Sequence, residues 1–170
     1  MPVIAAGTER LTLRPLADED APFVLALLND PSFVRFVGDK GVHTLDDARE
    51  YISTGGRDAY ARRTLYVAAR KEDGAPVGIC SLVKREGLDE VDLGFAILSE
   101  FRGRGYATEA AAWTLASARE LHGLRRLVAI TTPDNDPSAR VLEKLGFRFA
   151  RMVRLRAGDR ELRLFESEGL

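Results

Sequence analysis

An apolar strand, a glycine-rich loop and the start of a helix follow one another between Glu90 and Glu109, in the run EVDLGFAILSEFRGRGYATE. Gly103 and Gly105 have no Cβ, so the backbone of this loop can adopt positive φ and approach a ligand closely. The first amides of the helix that begins near Tyr106 lack intrahelical partners and point beyond the end of the strand. This order of elements predicts an anion-binding turn in an α/β fold.

The charges around the loop indicate that the anion is a pyrophosphate. The helix dipole places partial positive charge at its N-terminus, and Arg102 and Arg104 add two guanidinium groups that can bind phosphate oxygens as bidentate donors. A Walker A loop needs Lys and then Ser or Thr after its last glycine, whereas Tyr106 and Ala107 follow here. A Rossmann fingerprint needs Gly or Ala where Thr108 stands. The sequence therefore disfavours ATP, GTP and dinucleotides.

Two runs resemble the signatures of the GCN5-related N-acetyltransferase (GNAT) superfamily. The loop RGRGYA at 102–107 is similar to the Arg/Gln-x-x-Gly-x-Gly/Ala loop that holds the pyrophosphate of acetyl-coenzyme A in that family. The run NDPS at 135–138, followed by RVLEKLGF at 140–147, resembles the family's second signature. GYATEA and the N-x-x-S spacing are most similar to the RimJ/RimL-like ribosomal-protein N-terminal acetyltransferases. The resemblance covers nearly the whole chain, and is loose near 31–60.

The resemblance implies a coenzyme-binding set that works mostly through backbone amides. Its members are Arg102, Gly103, Arg104, Gly105, Tyr106, Ala107, Thr108, Asn135 and Ser138. The amide of Ile97 or Leu98 would polarise the thioester carbonyl as an oxyanion donor. Taken alone, Asn135 is better explained as the end of a strand before a turn, whereas Ser138 can equally cap the following helix, and one hydroxyl can do both.

Transfer to an amine also needs a base, because an ammonium acceptor must lose a proton before it attacks the thioester. Asp92 lies in an apolar run and matches the position of a carboxylate in several family members, and burial would raise its pKa. Glu90 shares its face by period two. The alternative for both is a strand acid paired with a nearby Arg. Ser138 is the candidate to protonate the leaving thiolate, since Leu142 replaces the Tyr acid that many members carry.

The periodicity of apolar residues predicts a mixed α/β fold of about seven strands and four helices. Short turns separate TLYVAAR, PVGICSLV and EVDLGFAI, so these strands are expected to pair antiparallel. The helix that ends before Gly123 should lead into the strand LVAITT by a right-handed parallel crossover. The family resemblance implies a GNAT-type fold with a mostly antiparallel sheet, whose parallel strands at 90–97 and 127–132 splay apart around the pantetheine arm.

Other elements are predicted from local signals. Strand RLTLRPL precedes a helix capped by Asp18, the piece SFVRFVGDKGVH is irregular, and Thr44 with Asp47 resembles a capping box for a second helix. A helix from Ser138 to Leu145 and a final hairpin close the chain.

Composition limits the partners. With 170 residues, 45% hydrophobic and 30% charged, the chain fits one domain over 1–170. The net charge of −1 and interspersed charges predict no binding to nucleic acid or membrane, and the absence of a signal-peptide pattern favours a cytoplasmic protein. His43 and His122 lack ligand spacing, so no metal is predicted. Cys80 lies in an apolar run and is predicted to pack in the core.

These features and the resemblance together predict an acetyl-CoA-dependent N-acetyltransferase that works by direct transfer, as a monomer or homodimer. The preferred acceptor is the α-amine of a protein or peptide N-terminus. Small amines such as an amino acid, polyamine or aminoglycoside, and a non-catalytic acyl-CoA-binding module, remain alternatives. Phe33, Arg35 and Phe36 lie where the family builds its acceptor pocket, although core packing is the commoner fate of Phe.

Overall fold

The computed structural model describes residues 7–54 and 65–167. Within these ranges the chain forms seven strands and five α-helices. The strands are β1 (Leu11–Pro15), β2 (Leu65–Arg70), β3 (Pro76–Val83), β4 (Val91–Ile97), β5 (Leu127–Thr131), β6 (Phe147–Val153) and β7 (Leu162–Ser167). The helices are α1 (Ala21–Leu28), α2 (Pro31–Phe36), α3 (Leu45–Thr54), α4 (Tyr106–His122) and α5 (Asp136–Lys144). The predicted mixed α/β fold is confirmed, with one helix more than expected.

The strands form one sheet in the order β1-β2-β3-β4-β5-β7-β6. Neighbours are antiparallel except β4 and β5, which run parallel as the crossover through α4 requires. The short turns after β2 and β3 close the predicted antiparallel hairpins. Thr64, where the sequence predicted the second strand to begin, lies outside the described residues.

The parallel pair at the centre of the sheet separates after two residue pairs. Val91 pairs with Leu127 and Asp92 with Val128, and β5 then continues beside β7 alone. The antiparallel β3–β4 register meanwhile runs without a break from Asp92 to Ile97. The predicted splay of the two strands is confirmed, and it leaves a wedge-shaped gap that opens toward the end of β4.

Helices cover both faces of the sheet because side chains along each strand alternate in direction. On one face, α4 and α5 pack on a core that includes Val91, Leu93 and Phe165. Small side chains let α4 lie close to the sheet, since Ala110, Ala111 and Ala118 are fully buried. On the other face, α1 and α3 bury the fully apolar set Val24, Leu27, Leu28, Ala48 and Ile52 against the sheet.

Local capping explains where the first helices begin. The capping box of α3 is confirmed: the Asp47 amide donates to the Thr44 hydroxyl (3.0 Å), and the Thr44 amide donates to the Asp47 carboxylate (3.1 Å). Asp18 does not cap α1, because a single 3-10 turn, Asp18–Asp20, precedes that helix. The Asp20 carboxylate instead accepts from the Ala17 amide at 2.9 Å and pairs with Arg14.

The segment predicted as irregular begins with α2. The Asp30 carboxylate caps this helix by accepting from the Ser32 amide (3.0 Å), and Pro31 occupies the first helical position, where its missing N–H costs nothing. Six residues are too few to show helical periodicity, which is why the pattern alone missed the helix. None of the helices in the described ranges has both the length and the apolarity to cross a membrane.

Candidate active site

The predicted anion-binding turn follows β4 directly. A single 3-10 turn, Ser99–Phe101, leads from the strand into the segment 102–108, which we call the coenzyme loop and which ends in the first turn of α4. Gly103 and Gly105 have φ of +73° and +84°, values that favour glycine. Gly105 is also the N-cap of the 17-residue helix α4, so no capping side chain occupies the helix N-terminus. The first amides of α4 therefore open on the end of the sheet.

The two arginines of the coenzyme loop are exposed and fold back over it. Arg102 Nε donates to the carbonyl of Ile97 at 3.3 Å, and Arg104 Nη2 donates to the carbonyl of Glu100 at 3.4 Å. Both contacts are to neutral backbone oxygens, so each guanidinium can exchange them for a phosphate oxygen at little cost.

One of the two amides predicted as oxyanion donors is already engaged. Leu98 N–H donates to the carbonyl of Val77 at 2.8 Å, so Leu98 cannot polarise a thioester in this conformation. Hydrogen bonds of an antiparallel strand alternate between its two sides, and the bond of Leu98 to β3 therefore turns the N–H of Ile97 toward the gap beside β5. Ile97 remains as the proposed donor.

A cleft of about 720 Å³ occupies the gap between β4 and β5 and extends toward α2 and α3. It is lined by Asp92 on β4, by Asn135 and Ser138 at the start of α5, and by Phe33 and Phe36 on α2. The fold thus brings together five of the predicted site residues that lie far apart in sequence. Glu90, Arg35, Ile97, Leu98 and the coenzyme loop are not among the described residues that line the cleft.

Asp92 is a buried, charged group on the wall of the cleft. Its side chain is 3% exposed, and Oδ2 lies 2.6 Å from Nε of Arg85. Burial raises the pKa of Asp92 to about 6, while the charges of Arg85 and Lys40 oppose that rise. Both alternatives from the sequence therefore describe the same side chain: Asp92 is ion-paired with an Arg, and it also faces the cleft with a pKa suited to a general base.

The sequence analysis missed most of the cleft lining, including Arg85, Tyr51 and Ser81. Arg85 follows β3 within the β3–β4 hairpin, and Ser81 stands opposite Gly94 in the ladder, so the hairpin register was the signal that could have found them. Tyr51 projects from α3, and burial raises its pKa while Arg85 opposes the rise. Nothing local in the sequence marks Tyr51, because its place depends on how α3 packs on the sheet.

Asn135, rather than Ser138, caps α5. The Asn135 Oδ1 accepts from the amide of Ser138 at 3.3 Å, and the helix begins at Asp136 rather than at Ser138. Ser138 is the third helical residue, and it lines the cleft. Its hydroxyl is therefore not committed to capping, whereas the amide side chain of Asn135 both caps the helix and lines the cleft.

The three predicted acceptor residues on α2 have different surroundings. Phe33 is 6% exposed and belongs to the core beside α1 and α3, so it forms the floor of the cleft. Phe36 is half-buried and lines the mouth of the cleft. Arg35 is not among the described lining residues; it stacks on Phe36 and pairs with Asp134 at 3.0 Å. That ion pair ties α2 to the loop before α5.

A glycine-rich turn at the end of a splayed strand pair, with a buried carboxylate in the gap, is the arrangement expected of an N-acetyltransferase. The chain belongs to the GNAT family of these enzymes, since the family model described as an acetyltransferase (GNAT) domain matches residues 10–148. A relative described as the uncharacterized N-acetyltransferase YnaD of Bacillus subtilis is 28% identical over 141 residues, which cover 83% of this chain and 81% of the relative.

Solved structures share the fold. One is RimL, a ribosomal L7/L12 alpha-N-protein acetyltransferase in complex with coenzyme A, with a TM-score of 0.75, 16% identity and coverage of 94% of both chains. Another is spermidine N-acetyltransferase from Vibrio cholerae in complex with coenzyme A and spermine, with a TM-score of 0.76, 16% identity and coverage of 94% of this chain and 95% of that one. At this identity the likeness concerns the fold alone, and the two proteins act on different amines.

Proposed function

We propose that this N-acetyltransferase uses acetyl-CoA and transfers the acetyl group directly to the α-amine of a protein or peptide N-terminus, in the manner of the RimJ/RimL-like branch. The observation that carries the proposal is the buried carboxylate of Asp92 inside the gap between β4 and β5. A carboxylate with a pKa of about 6 is ionised at neutral pH and still basic enough to take a proton from an ammonium group.

The residues of the chain have separate roles in this reaction. The coenzyme loop holds the pyrophosphate of acetyl-CoA through the first amides of α4 and through Arg102 and Arg104. Asp92 accepts the proton of the acceptor amine, directly or through one water, and Arg85 keeps the carboxylate oriented. The neutral amine then attacks the thioester carbon, and the N–H of Ile97 stabilises the charge that develops on the carbonyl oxygen.

Collapse of the tetrahedral intermediate forms the amide bond and breaks the carbon–sulfur bond. The electron pair leaves with the sulfur, the attacking nitrogen loses its extra proton, and the Ser138 hydroxyl takes up that proton as it passes its own to the thiolate. No covalent acyl-enzyme is required. Cys80 is unsuited to be a nucleophile, because it is fully buried and burial raises the pKa of its thiol to about 12.

The charges of the cleft support a peptide acceptor over a polyamine. A polyamine needs several carboxylates that face it, whereas the described residues that line the cleft include three cationic ones beside four acidic ones. Two of those acids are engaged within the protein, because Asp92 pairs with Arg85 and Asp47 accepts from the amides of His43 and Thr44. The apolar side chains of Phe33 and Phe36 suit the first residues of a peptide better than a flexible polycation.

Mass spectrometry of a mixed acceptor pool tests the proposal. The pool contains peptides with varied N-termini together with free amino acids, spermidine and an aminoglycoside, incubated with the protein and acetyl-CoA. We expect acetylation at peptide α-amines, with a preference that names the favoured first residues. Acetylation confined to the small amines would contradict the peptide acceptor. A pool left unmodified, with coenzyme A still bound in calorimetry, would instead indicate an acyl-CoA-binding module.

A further inference from the structure

We propose that Arg10, which directly precedes the first strand, is a positioning residue that holds the coenzyme loop in its binding conformation and neutralises an acid beside the pyrophosphate site. This inference rests on the proposed role of the loop in binding the pyrophosphate of acetyl-CoA. It assigns a binding role to a residue nearly a hundred positions away from the loop in sequence.

One guanidinium group makes three contacts with the loop and with the first turn of α4. Arg10 Nη1 donates to the carbonyl of Arg104 at 2.9 Å. Arg10 Nε lies 2.8 Å from Oε1 of Glu109, and the guanidinium carbon stands 4.6 Å from the centre of the Tyr106 ring. The bond to Arg104 fixes the peptide that joins Arg104 to Gly105, where the chain must hold a φ of +84° to turn into the helix.

The ion pair with Glu109 gives Arg10 an electrostatic role besides its contacts with the loop. It lies in the first turn of α4, where its negative charge complements the helix dipole but repels a phosphate bound at the same helix end. Its carboxylate is satisfied within the protein, since it accepts from the Thr8 hydroxyl, the Arg10 amide and Arg10 Nε. Arg10 therefore supplies the positive charge that cancels Glu109 and leaves Arg102 and Arg104 to act on the ligand.

The chain around Arg10 is itself anchored. The Thr8 amide donates to the Leu11 carbonyl at 2.8 Å, and the Lys71 amide donates to the carbonyl of Arg10 at 2.9 Å. Lys71 Nζ also donates to the carbonyl of Thr8. A side chain that starts from a fixed backbone loses less conformational freedom when it holds the loop.

Calorimetry with coenzyme A tests the positioning role. We expect Arg10→Ala to weaken coenzyme A binding roughly tenfold or more, because a charge-assisted contact set is lost and Glu109 is left uncompensated. Arg10→Lys keeps the charge but cannot contact Glu109 and Arg104 as a fork, so its affinity should fall between those of the wild type and Arg10→Ala.

Arg14→Ala is the matched control. Arg14 lies in β1, four residues after Arg10, and its side chain is 45% exposed against 44% for Arg10. It pairs with Asp20 as Arg10 pairs with Glu109. The described hydrogen bonds and ion pairs of Arg14 do not include the coenzyme loop. Arg14→Ala should therefore lower the melting temperature while leaving the affinity for coenzyme A unchanged. Equal affinity losses in Arg14→Ala and Arg10→Ala would reduce Arg10 to a structural residue.

Two further measurements distinguish a positioning role of Arg10 from a general loss of structure in the variant. The double variant Arg10→Ala/Glu109→Gln should bind coenzyme A more tightly than Arg10→Ala alone, because the repelling charge is gone. With the acceptor found in the pool experiment, kcat/KM for acetyl-CoA should fall in Arg10→Ala, whereas kcat/KM for S-acetylpantetheine, which has no pyrophosphate, should not change. A further loss of affinity in the double variant, or equal losses for both donors, would overturn the proposal.

Coenzyme A binding by the wild-type protein distinguishes a failure of the proposed loop function from a failure of the proposed role of Arg10. If the wild-type protein binds no coenzyme A, the loop is not a coenzyme-binding loop, and the positioning role proposed for Arg10 is also wrong. If the wild type binds and Arg10→Ala binds equally well, the loop assignment stands and only the positioning role is wrong.

Discussion

Asp92 shows how one side chain can satisfy two interpretations of its sequence. The apolar run around it predicted either a base or an acid paired with an Arg, and the structure has the ion pair with Arg85 on the wall of the cleft. The pair does not cancel the effect of burial, because the pKa of Asp92 remains raised to about 6. A carboxylate held in this way is fixed in direction yet able to exchange a proton near neutral pH.

We expect Asp92→Asn to slow acetyl transfer about a hundredfold, which is typical of a lost general base. The ratio of wild-type to variant rates should be largest near pH 6 and shrink as the pH rises, because the variant depends on amine that is already deprotonated. The measurement is the pH profile of kcat/KM, with the affinity for coenzyme A expected to stay constant. Glu90→Gln serves as the control, since Glu90 does not line the cleft; an unchanged profile in Asp92→Asn would make Asp92 structural.

Gly105→Val should abolish coenzyme A binding. The φ of +84° is strained for any residue with a Cβ, and the new Cβ would lie 3.2 Å from Nη2 of Arg10. Gly123→Val is the matched control at the other end of α4, where φ is +63° and nothing lies within 4 Å of the added Cβ. Both variants should lose stability, by on the order of 1 to 3 kcal/mol, and calorimetry should find lost affinity in Gly105→Val alone.

At the scale of secondary-structure elements, the start of α5 and the splay of β4 from β5 form the site together. Asn135 ends the turn after β5 and caps α5, so one side chain sets where the helix points relative to the gap. The cap also keeps Ser138 on the cleft wall, one turn into the helix. The cap of Asn135 and its proposed contact with the coenzyme can be tested apart, because they use different atoms of the side-chain amide.

The substitution Asn135→Asp separates the capping role of Asn135 from its proposed contact with the coenzyme. The carboxylate keeps an oxygen that can cap α5 and adds a negative charge that suits a helix N-terminus, so the free energy of unfolding should change by less than about 0.5 kcal/mol. It removes the amide donor, and we expect weaker binding of coenzyme A if that donor contacts the pantetheine arm. Urea unfolding and calorimetry measure the two effects. A loss of stability with unchanged affinity would leave Asn135 with the capping role alone.

For the whole molecule, burial of Asp92 predicts a pH dependence of stability. Folding raises its pKa from 3.8 to about 6, so the folded state binds more protons between those values and the contribution of Asp92 to stability is lost as the pH rises through them. About two pKa units correspond to roughly 3 kcal/mol.

The difference in unfolding free energy between the wild type and Asp92→Asn isolates this effect. Arg85 loses its partner in the variant at every pH, which adds a constant offset but no slope. We therefore expect the wild type to lose roughly 3 kcal/mol relative to the variant between about pH 4 and about pH 7, measured by urea unfolding. A constant difference over that range would mean that Asp92 keeps its ordinary pKa when folded.

The local parts of this architecture could be predicted from the sequence, and the parts made by packing could not. Glycine positions, the capping box at Thr44 and the hairpins depend on neighbours in the chain, and the structure has them where the patterns predicted. The contact of Tyr51 with the cleft and the bonds from Arg10 to the coenzyme loop join residues far apart in sequence, and no spacing rule encodes them. The splay of β4 and β5 was expected only from family resemblance.

Because β4 and β5 are paired at one end only, a small change in the angle between them becomes a larger change in their separation at the other end. The strands are joined at Val91 and Asp92, and the far end of β4, at Ile97, lies roughly 16 Å away at the rise of an extended strand. A rotation of about 5° at the joined end therefore moves the far end by roughly 1.5 Å, about the length of one carbon–carbon bond. Packing around Val91 and Leu127, where the two strands are joined, therefore influences the width of the gap at its open end.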